Sequence, residues 1–222
     1  VEQFDPSPEL TQQLKLLVEH FYSFEVKKKP FVSAKIASTL NGIYSYSGAK
    51  RAWITSNRSR AYGHWLRLHH DAIIVGADTV IQDNPSLTVR ALESGRTPLR
   101  VVVDPSARAL KSRVLAKHHL LLGETEKTLW CVTRGSWEAL SFAALRELEK
   151  LGIRTLFLQE SENENIFAEI LSFLFAEGIA SLLIEGGAGV WASAFNGNKV
   201  DKLYLFQAPK LFCHEQIVPW TQ

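Results

Sequence analysis

Methionine is missing from this chain altogether. None occurs in 222 residues, not even at position 1, although chains of this length normally carry several. Cysteine is nearly as scarce. Cys131 and Cys213 are far apart, and neither sits in a CxxC or His-x-Glu context, so a disulfide-stapled miniprotein and a cysteine-based zinc site are excluded. The expectation is two buried thiols in a reducing cytoplasm. Seven histidines are present, but His69–His70 and His118–His119 are adjacent pairs. Neighbours on a helix or strand point in different directions, so no metal centre is expected from them. Long apolar runs are lacking too. Ala72-Ile73-Ile74-Val75 is among the longest, far short of a membrane span, and no signal-peptide pattern opens the chain. Charge of one sign is not in excess: 25 basic residues face 23 acidic ones, for a net charge of +2. A nucleic-acid binder would show a basic stripe. What is there is 46% hydrophobic and 22% charged residues, the proportions of a globular protein with a core. The length suggests one domain plus an appendage.

The appendage is residues 1–30. Residues 7–24 read as one helix: Ser7 caps it, Pro8 suits its first turn, and Leu10, Leu14, Leu17, Val18 and Phe21 share a face. Lys27-Lys28-Lys29-Pro30 then breaks the pattern as a solvated connector. From Phe31, strands and helices alternate. Strand candidates are 31–37, 72–76, 99–104, 128–133, 153–158, 180–185 and 202–207, with helices at 56–69, 137–151 and 165–176. Several strands are apolar on both faces, the mark of a mostly parallel sheet covered by helices, so the fold class is α/β.

Ligands in such sheets bind beyond the carboxyl ends of strands. Three places qualify. The buried strand Leu182-Leu183-Ile184 runs through Glu185 into Gly186-Gly187-Ala188-Gly189 and a helical stretch, a turn suited to phosphate. A tight turn with no ligand explains the same glycines about equally well, and GGxG is not a Rossmann fingerprint. After strand 72–76, Thr79 and Asp83 share one face of a short helix, and Asn84-Pro85 forces a turn before Leu87 and Arg90. Finally, Lys35 interrupts an apolar strand as either a snorkelling edge residue or a cleft cation. Lys35, Asp83 and Glu185 are the candidates for proton handling, and the sequence does not choose among them.

In this order the segments resemble the reductase domain of riboflavin biosynthesis, usually the C-terminal half of a bifunctional deaminase/reductase. The resemblance runs from about Pro30 to Lys210 and rests on Lys35-Ile36-Ala37-Ser38-Thr39-Leu40-Asn41-Gly42, Trp53-Ile54-Thr55 and His70 to Gly76. It continues through Thr79 to Arg90, Leu99 to Asp104, Glu185-Gly186-Gly187-Ala188, Val200-Asp201 and Ala208 to Leu211. It implies a dihydrofolate-reductase-like fold, a homodimer, NADPH as cofactor, and a phosphoribosylaminopyrimidine whose ribose is reduced to a ribityl chain. By the same resemblance Ala37, Trp53, Thr79, Asp83, Ser106, Gly186, Gly187, Ala188, Gly189, Val190, Trp191, Ala192 and Ser193 line the NADP site. Arg51, Arg67, Leu87, Arg90 and Glu185 hold the substrate, with the two arginines Arg67 and Arg90 clamping its phosphate.

Three positions depart from the family pattern. Asn41 stands where Asp is usual, Arg51 where a serine is usual, and Pro105 where a cofactor-binding serine is usual, with Ser106 next door. Alternative readings are another NADPH reductase of pterins or pyrimidines, or a nucleotide-binding paralogue without catalysis. Arg134 is a candidate 2′-phosphate partner against the plainer reading of a solvated loop arginine. The zinc deaminase signature is absent. The missing methionines, the residues resembling a linker before Phe31 and the twelve residues after Lys210 together lead us to expect a longer chain, with a preceding deaminase domain and a closing hairpin.

Overall fold

A computed structural model describes residues 7–44, 54–90, 96–111, 120, 124–159, 166–213 and 216–219. The expected N-terminal helix is two helices, α1 (Pro8–Leu17) and α2 (Glu19–Glu25). Ser7 Oγ accepts from Leu10 N at 3.3 Å and starts α1. Val18, β-branched and at φ −117°, leaves the helical region and ends it. The chain then redirects so that the His20 ring of α2 packs at a tilt on Phe31, 4.9 Å between centroids, and Ser23 is buried.

Seven strands follow: β1 (Phe31–Thr39), β2 (Ala72–Gly76), β3 (Leu99–Val103), β4 (Thr128–Thr133), β5 (Arg154–Leu158), β6 (Ser181–Gly186) and β7 (Lys202–Ala208). They form one sheet in the order β5-β4-β3-β2-β6-β1-β7, and every pairing is parallel. All seven lie where the apolar runs put them, to within two residues at either end.

Helices cover both faces of the sheet. Leu66 of α3 (Asn57–Leu68) and Val80 of α4 (Ala77–Asp83) pack with Ile73, Val75 and Leu183 on one face. On the other, α8 (Ile166–Ala176) and α9 (Ala188–Asn196) pack against Val32, Ala34, Ile74, Leu182 and Ile184. Ile166, Phe167, Ile170, Leu171 and Leu174 of α8 are all buried. At roughly 2 kcal/mol per buried side chain, this packing rather than helix propensity fixes α8. A short α5 (Arg108–Lys111) follows β3.

The expected helix over 137–151 is also two, α6 (Arg134–Glu138) and α7 (Phe142–Lys150). The hydroxyls of Thr133 and Ser141 each accept from a backbone N–H three residues on and start separate helices. After β7, where a closing hairpin was expected to be missing, β8 (Lys210–Cys213) pairs antiparallel with β9 (Gln216–Pro219). No helix among the described residues is long and apolar enough to cross a membrane, and none of those residues cluster as metal ligands.

The strand order decides where a site can be. The chain goes from β1 to β2 but leaves a place between them, which β6 fills much later. The carboxyl ends of β1, β6 and β2 therefore frame a crevice at the point where the order reverses.

Candidate active site

Two strand-to-helix turns are pressed together in this crevice. β2 runs straight into α4 at Gly76, and β6 runs into α9 at Gly187, which sits at φ +94°. A Cβ on Gly187 would lie 2.8 Å from the Gly76 nitrogen, and one on Gly186 would lie 2.9 Å from Thr79 Oγ1. Gly189 differs: a Cβ there would meet nothing within 4 Å. It borders a cavity of about 650 Å³ that runs from Gly76 and Asp78 past Pro105 and Arg108 to α9 and Lys199, with Ile166 and Phe167 on its wall. The α9 N-terminus gives this cavity free N–H groups and a positive dipole end. Arg108 and Lys199 supply cations, and Asp78 pairs with Arg108 at 2.9 Å.

The expected cofactor residues divide. Gly187, Gly189, Val190, Ala192 and Ser193 line the cavity. Gly186 and Thr79 pack on each other behind it, and Ala188 is exposed. Trp191 meets Tyr44 edge-on at 5.4 Å, and its buried indole N–H has no hydrogen-bond partner. Ser106 is exposed and its carbonyl accepts from Lys111, whereas its neighbour Pro105 lines the cavity. Ala37 shares a β1 face with Lys35 by strand alternation. Asp83 ends α4, exposed. Arg134 lies over the Phe157 ring and 3.9 Å from Glu138, away from the cavity lining. Trp53 and Arg51 lie outside the described residues.

A charged cluster stands at the carboxyl end of β6, beside α3. β6 pairs with β2 through Ile74–Ile184 and then Val75–Gly186, so Glu185 is an extra residue in a bulge. A bulge re-aims a side chain, and here Glu185 meets Arg67 of α3 in a fork. Arg67 Nε donates to Oε1 at 2.5 Å and Nη2 to Oε2 at 2.7 Å, while Nη1 donates to the Thr88 carbonyl at 2.9 Å. Three of the five guanidinium donors are thus used internally. Burial alone would raise the Glu185 carboxyl. The Arg67 charge and hydrogen bonds, with Lys35 and His64, hold it below its ordinary value instead. Burial likewise works against Arg67, and Glu185 outweighs it, so the guanidinium is raised. Lys35, on β1, is lowered chiefly by burial, with Glu185 opposing and Arg67 assisting. Its Nζ lies 5.8 Å from the Phe206 ring centre. The charges acting on Lys35 are those of Glu185 and Arg67, not Asp83.

The expected two-arginine clamp is therefore uneven. Arg67 is bound to Glu185, whereas the Arg90 side chain has no partner among the described residues. Leu87 is 2% exposed, at φ +51°, so only its backbone can face a ligand. His64 was not anticipated: its Nδ1 accepts from Arg90 N at 3.3 Å. Its spacing of three residues from Arg67 on one helix was the available signal.

The RibD C-terminal domain family matches residues 30–218. The chain belongs to that family. The RibD riboflavin biosynthesis protein of Bacillus amyloliquefaciens is 33% identical over 208 residues, which is 91% of this chain and 52% of that protein. The chain thus spans about half the length of such relatives. A 2,5-diamino-6-ribosylamino-4(3H)-pyrimidinone 5′-phosphate reductase of Archaeoglobus fulgidus is 30% identical over 82% of this chain and 81% of its own length. The crystal structure of a diaminohydroxyphosphoribosylaminopyrimidine deaminase/5-amino-6-(5-phosphoribosylamino)uracil reductase from Thermotoga maritima superposes with a TM-score of 0.72 at 29% identity, over 95% of this chain and 54% of that one.

Against the family pattern, Asn41 has a structural part. Its Oδ1 accepts from Thr39 Oγ1 at 2.8 Å and from Phe212 N at 3.0 Å, and its Nδ2 donates to Phe212 O at 2.9 Å. The amide pairs with β8 as a strand residue would. Pro105 keeps its carbonyl, which accepts from both Thr133 N and Thr133 Oγ1.

Proposed function

We propose that this RibD C-terminal domain reduces the ribose of a phosphoribosylaminopyrimidine to the open ribityl chain with NADPH. The observation that carries this reading is the presence of two unlike places around the same strand, β6: a glycine-walled cavity at the helix N-terminus that follows it, and a half-buried Lys35–Glu185–Arg67 cluster at its carboxyl end. The cavity fits a dinucleotide. Its volume lies within the range of small-molecule sites, and the open space at Gly189 lets a phosphate reach the backbone N–H groups. Gly187, Gly189 and Ser193 would hold the phosphates, and Arg108 and Lys199 would meet their charge. When bound, the cofactor supplies a hydride.

The protein's share of the work is positioning and proton control. Arg90, whose guanidinium has no partner among the described residues, takes the substrate phosphate, and Arg67 adds its two remaining donors. Glu185 stays ionised because Arg67 grips it, so it accepts from sugar hydroxyls or ring amines rather than donating. Lys35, buried and lowered, holds the proton at Nζ that the opening ribose ring needs. Asp83, exposed at the end of α4, serves cofactor contact in this reading rather than proton transfer. A homodimer belongs to the same proposal. β7 is an edge of the sheet and shows Leu203 and Leu205 to solvent, which gives a second copy an apolar strand to cover.

The test is NADPH consumption by the purified chain given 5-amino-6-(5-phosphoribosylamino)uracil or its 2,5-diamino counterpart, with the product identified by mass as two hydrogens heavier. Turnover that collapses in Lys35→Met, while NADPH still binds, supports the assignment. Absence of turnover with either pyrimidine overturns it.

A further inference from the structure

The loop from Asn84 to Arg90 is held in an unusual shape. Asn84 is at φ +42° and Leu87 at φ +51°. A branched aliphatic side chain at positive φ costs roughly 1–2 kcal/mol, so something must hold the loop there. Part of the hold is the buried Leu87 side chain. The rest comes from one face of α3. Arg67 donates to the Thr88 carbonyl, and His64, one turn earlier, accepts from the Arg90 amide. The two contacts grip the loop on either side of Val89.

We propose that His64 is the positioning residue that sets Arg90, and with it the anion-binding face of the loop, through a hydrogen bond that exists only while the imidazole is neutral. This rests on the reading of Arg90 as the phosphate ligand. The Nδ1 lone pair that accepts from Arg90 N–H is the place where a proton would go. Once protonated, Nδ1 can only donate, and the carbonyl beside the ring is that of Thr88. The ring thus has two partners for two states: the Arg90 amide when neutral and the Thr88 carbonyl when charged.

The surroundings favour the first state in the free protein. Half-burial is the largest influence and lowers His64 below 6.5; Arg67 on its own helix and Arg90 on the loop lower it further. Glu185 on β6 and the Thr88 carbonyl pull upward without prevailing. Lys35 on β1 faces the same Glu185 and offsets part of its charge. Acidification therefore releases Arg90 N–H, and the strained loop relaxes.

Amide exchange of the 86–90 segment, corrected for intrinsic rates, is to be followed from neutral pH to well below 6.5 in the wild type, His64→Gln and His64→Leu. Ribose 5-phosphate affinity is measured alongside. Gln keeps a carbonyl acceptor that does not titrate. Wild type should lose protection at Arg90 as pH falls, His64→Gln should stay protected throughout, and His64→Leu should be unprotected at every pH. Ribose 5-phosphate should bind about tenfold more weakly to His64→Leu, the scale of one hydrogen bond. Equal protection in all three proteins, or an acid loss that persists in His64→Gln, overturns the inference. If protection behaves as described but ribose 5-phosphate binds none of the three, the latch stands and Arg90 as phosphate ligand falls.

Discussion

Among the described residues Arg67 is ion-paired with Glu185, which is 10% exposed at the side chain. Glu185→Gln leaves that guanidinium, itself 16% exposed, paired with a neutral amide. Breaking a buried pair from one side costs on the order of 3 kcal/mol. The urea midpoint should fall accordingly, and NADPH consumption should drop about a hundredfold, the scale of one lost charge-assisted acceptor for the substrate. Asn41→Asp tests a different idea. It removes the Nδ2 donor to Phe212 O and sets a carboxylate against that carbonyl, so about 1–2 kcal/mol should be lost. Amide protection at Phe212 should persist, because the carboxylate still accepts from Phe212 N, and Lys35 and Glu185 should keep their places. Read as a sequence, Asn41 registers only as a missing acid. Its partner is 171 residues away, so no local spacing reveals an amide acting as a strand. Glu185 was legible as a strand-end carboxylate, whereas the bulge that turns it toward Arg67 was not. An extra residue shows only against the neighbouring strand, and that strand is β2.

Glycine-to-alanine changes separate the two duties of the β6–α9 turn. Gly187→Ala forces a Cβ against the Gly76 backbone at φ +94°, so the molecule should lose well over about 1 kcal/mol. Gly189→Ala meets open space in the first turn of a helix, so thermal stability should hold or rise while NADPH affinity falls. Thermal melts beside NADPH titrations read both. If Gly189→Ala binds NADPH as the wild type does, the cavity is not the cofactor site. At this scale the strands were the readable part, because burial on both faces leaves a continuous apolar run. The helices were misjudged where a small polar residue intervened. Ser141 sits inside what looks like one amphipathic helix, and its hydroxyl starts a new one. Val18 does the opposite, ending α1 although its apolar side chain fits the stripe.

The molecule as a whole should be acid-sensitive. His70 is 1% exposed, donates from Nδ1 to Leu66 O at 2.7 Å and accepts at Nε2 from Ser33 at 2.8 Å, bonds that need its neutral form. Burial lowers it from 6.5 to about 4. Its folded value lies below its unfolded one, so its contribution is complete above 6.5 and is lost as pH falls toward 4. The full loss is roughly 3 kcal/mol. His20, 5.0 Å away on α2, is lowered too, and Glu185, held low by Arg67, loses its contribution in the same direction. Denaturation at pH 7 and pH 5 should differ by about 2 kcal/mol. His70→Asn should flatten that slope and lower stability at pH 7.

Strand order was the part of the whole that no pattern in the sequence declared. Apolar runs say that seven strands exist; which one lies between β1 and β2 depends on pairings across the full length of the chain. That insertion has a consequence in time. During synthesis β1 and β2 are made early, and the strand that joins them emerges only at Ser181–Gly186. Until then each has an open edge toward the other, with about a hundred residues still to come. Lys35 comes under the charge of Glu185 only when that central strand slots in, so a nascent chain lacks this charged cluster until synthesis has passed residue 186.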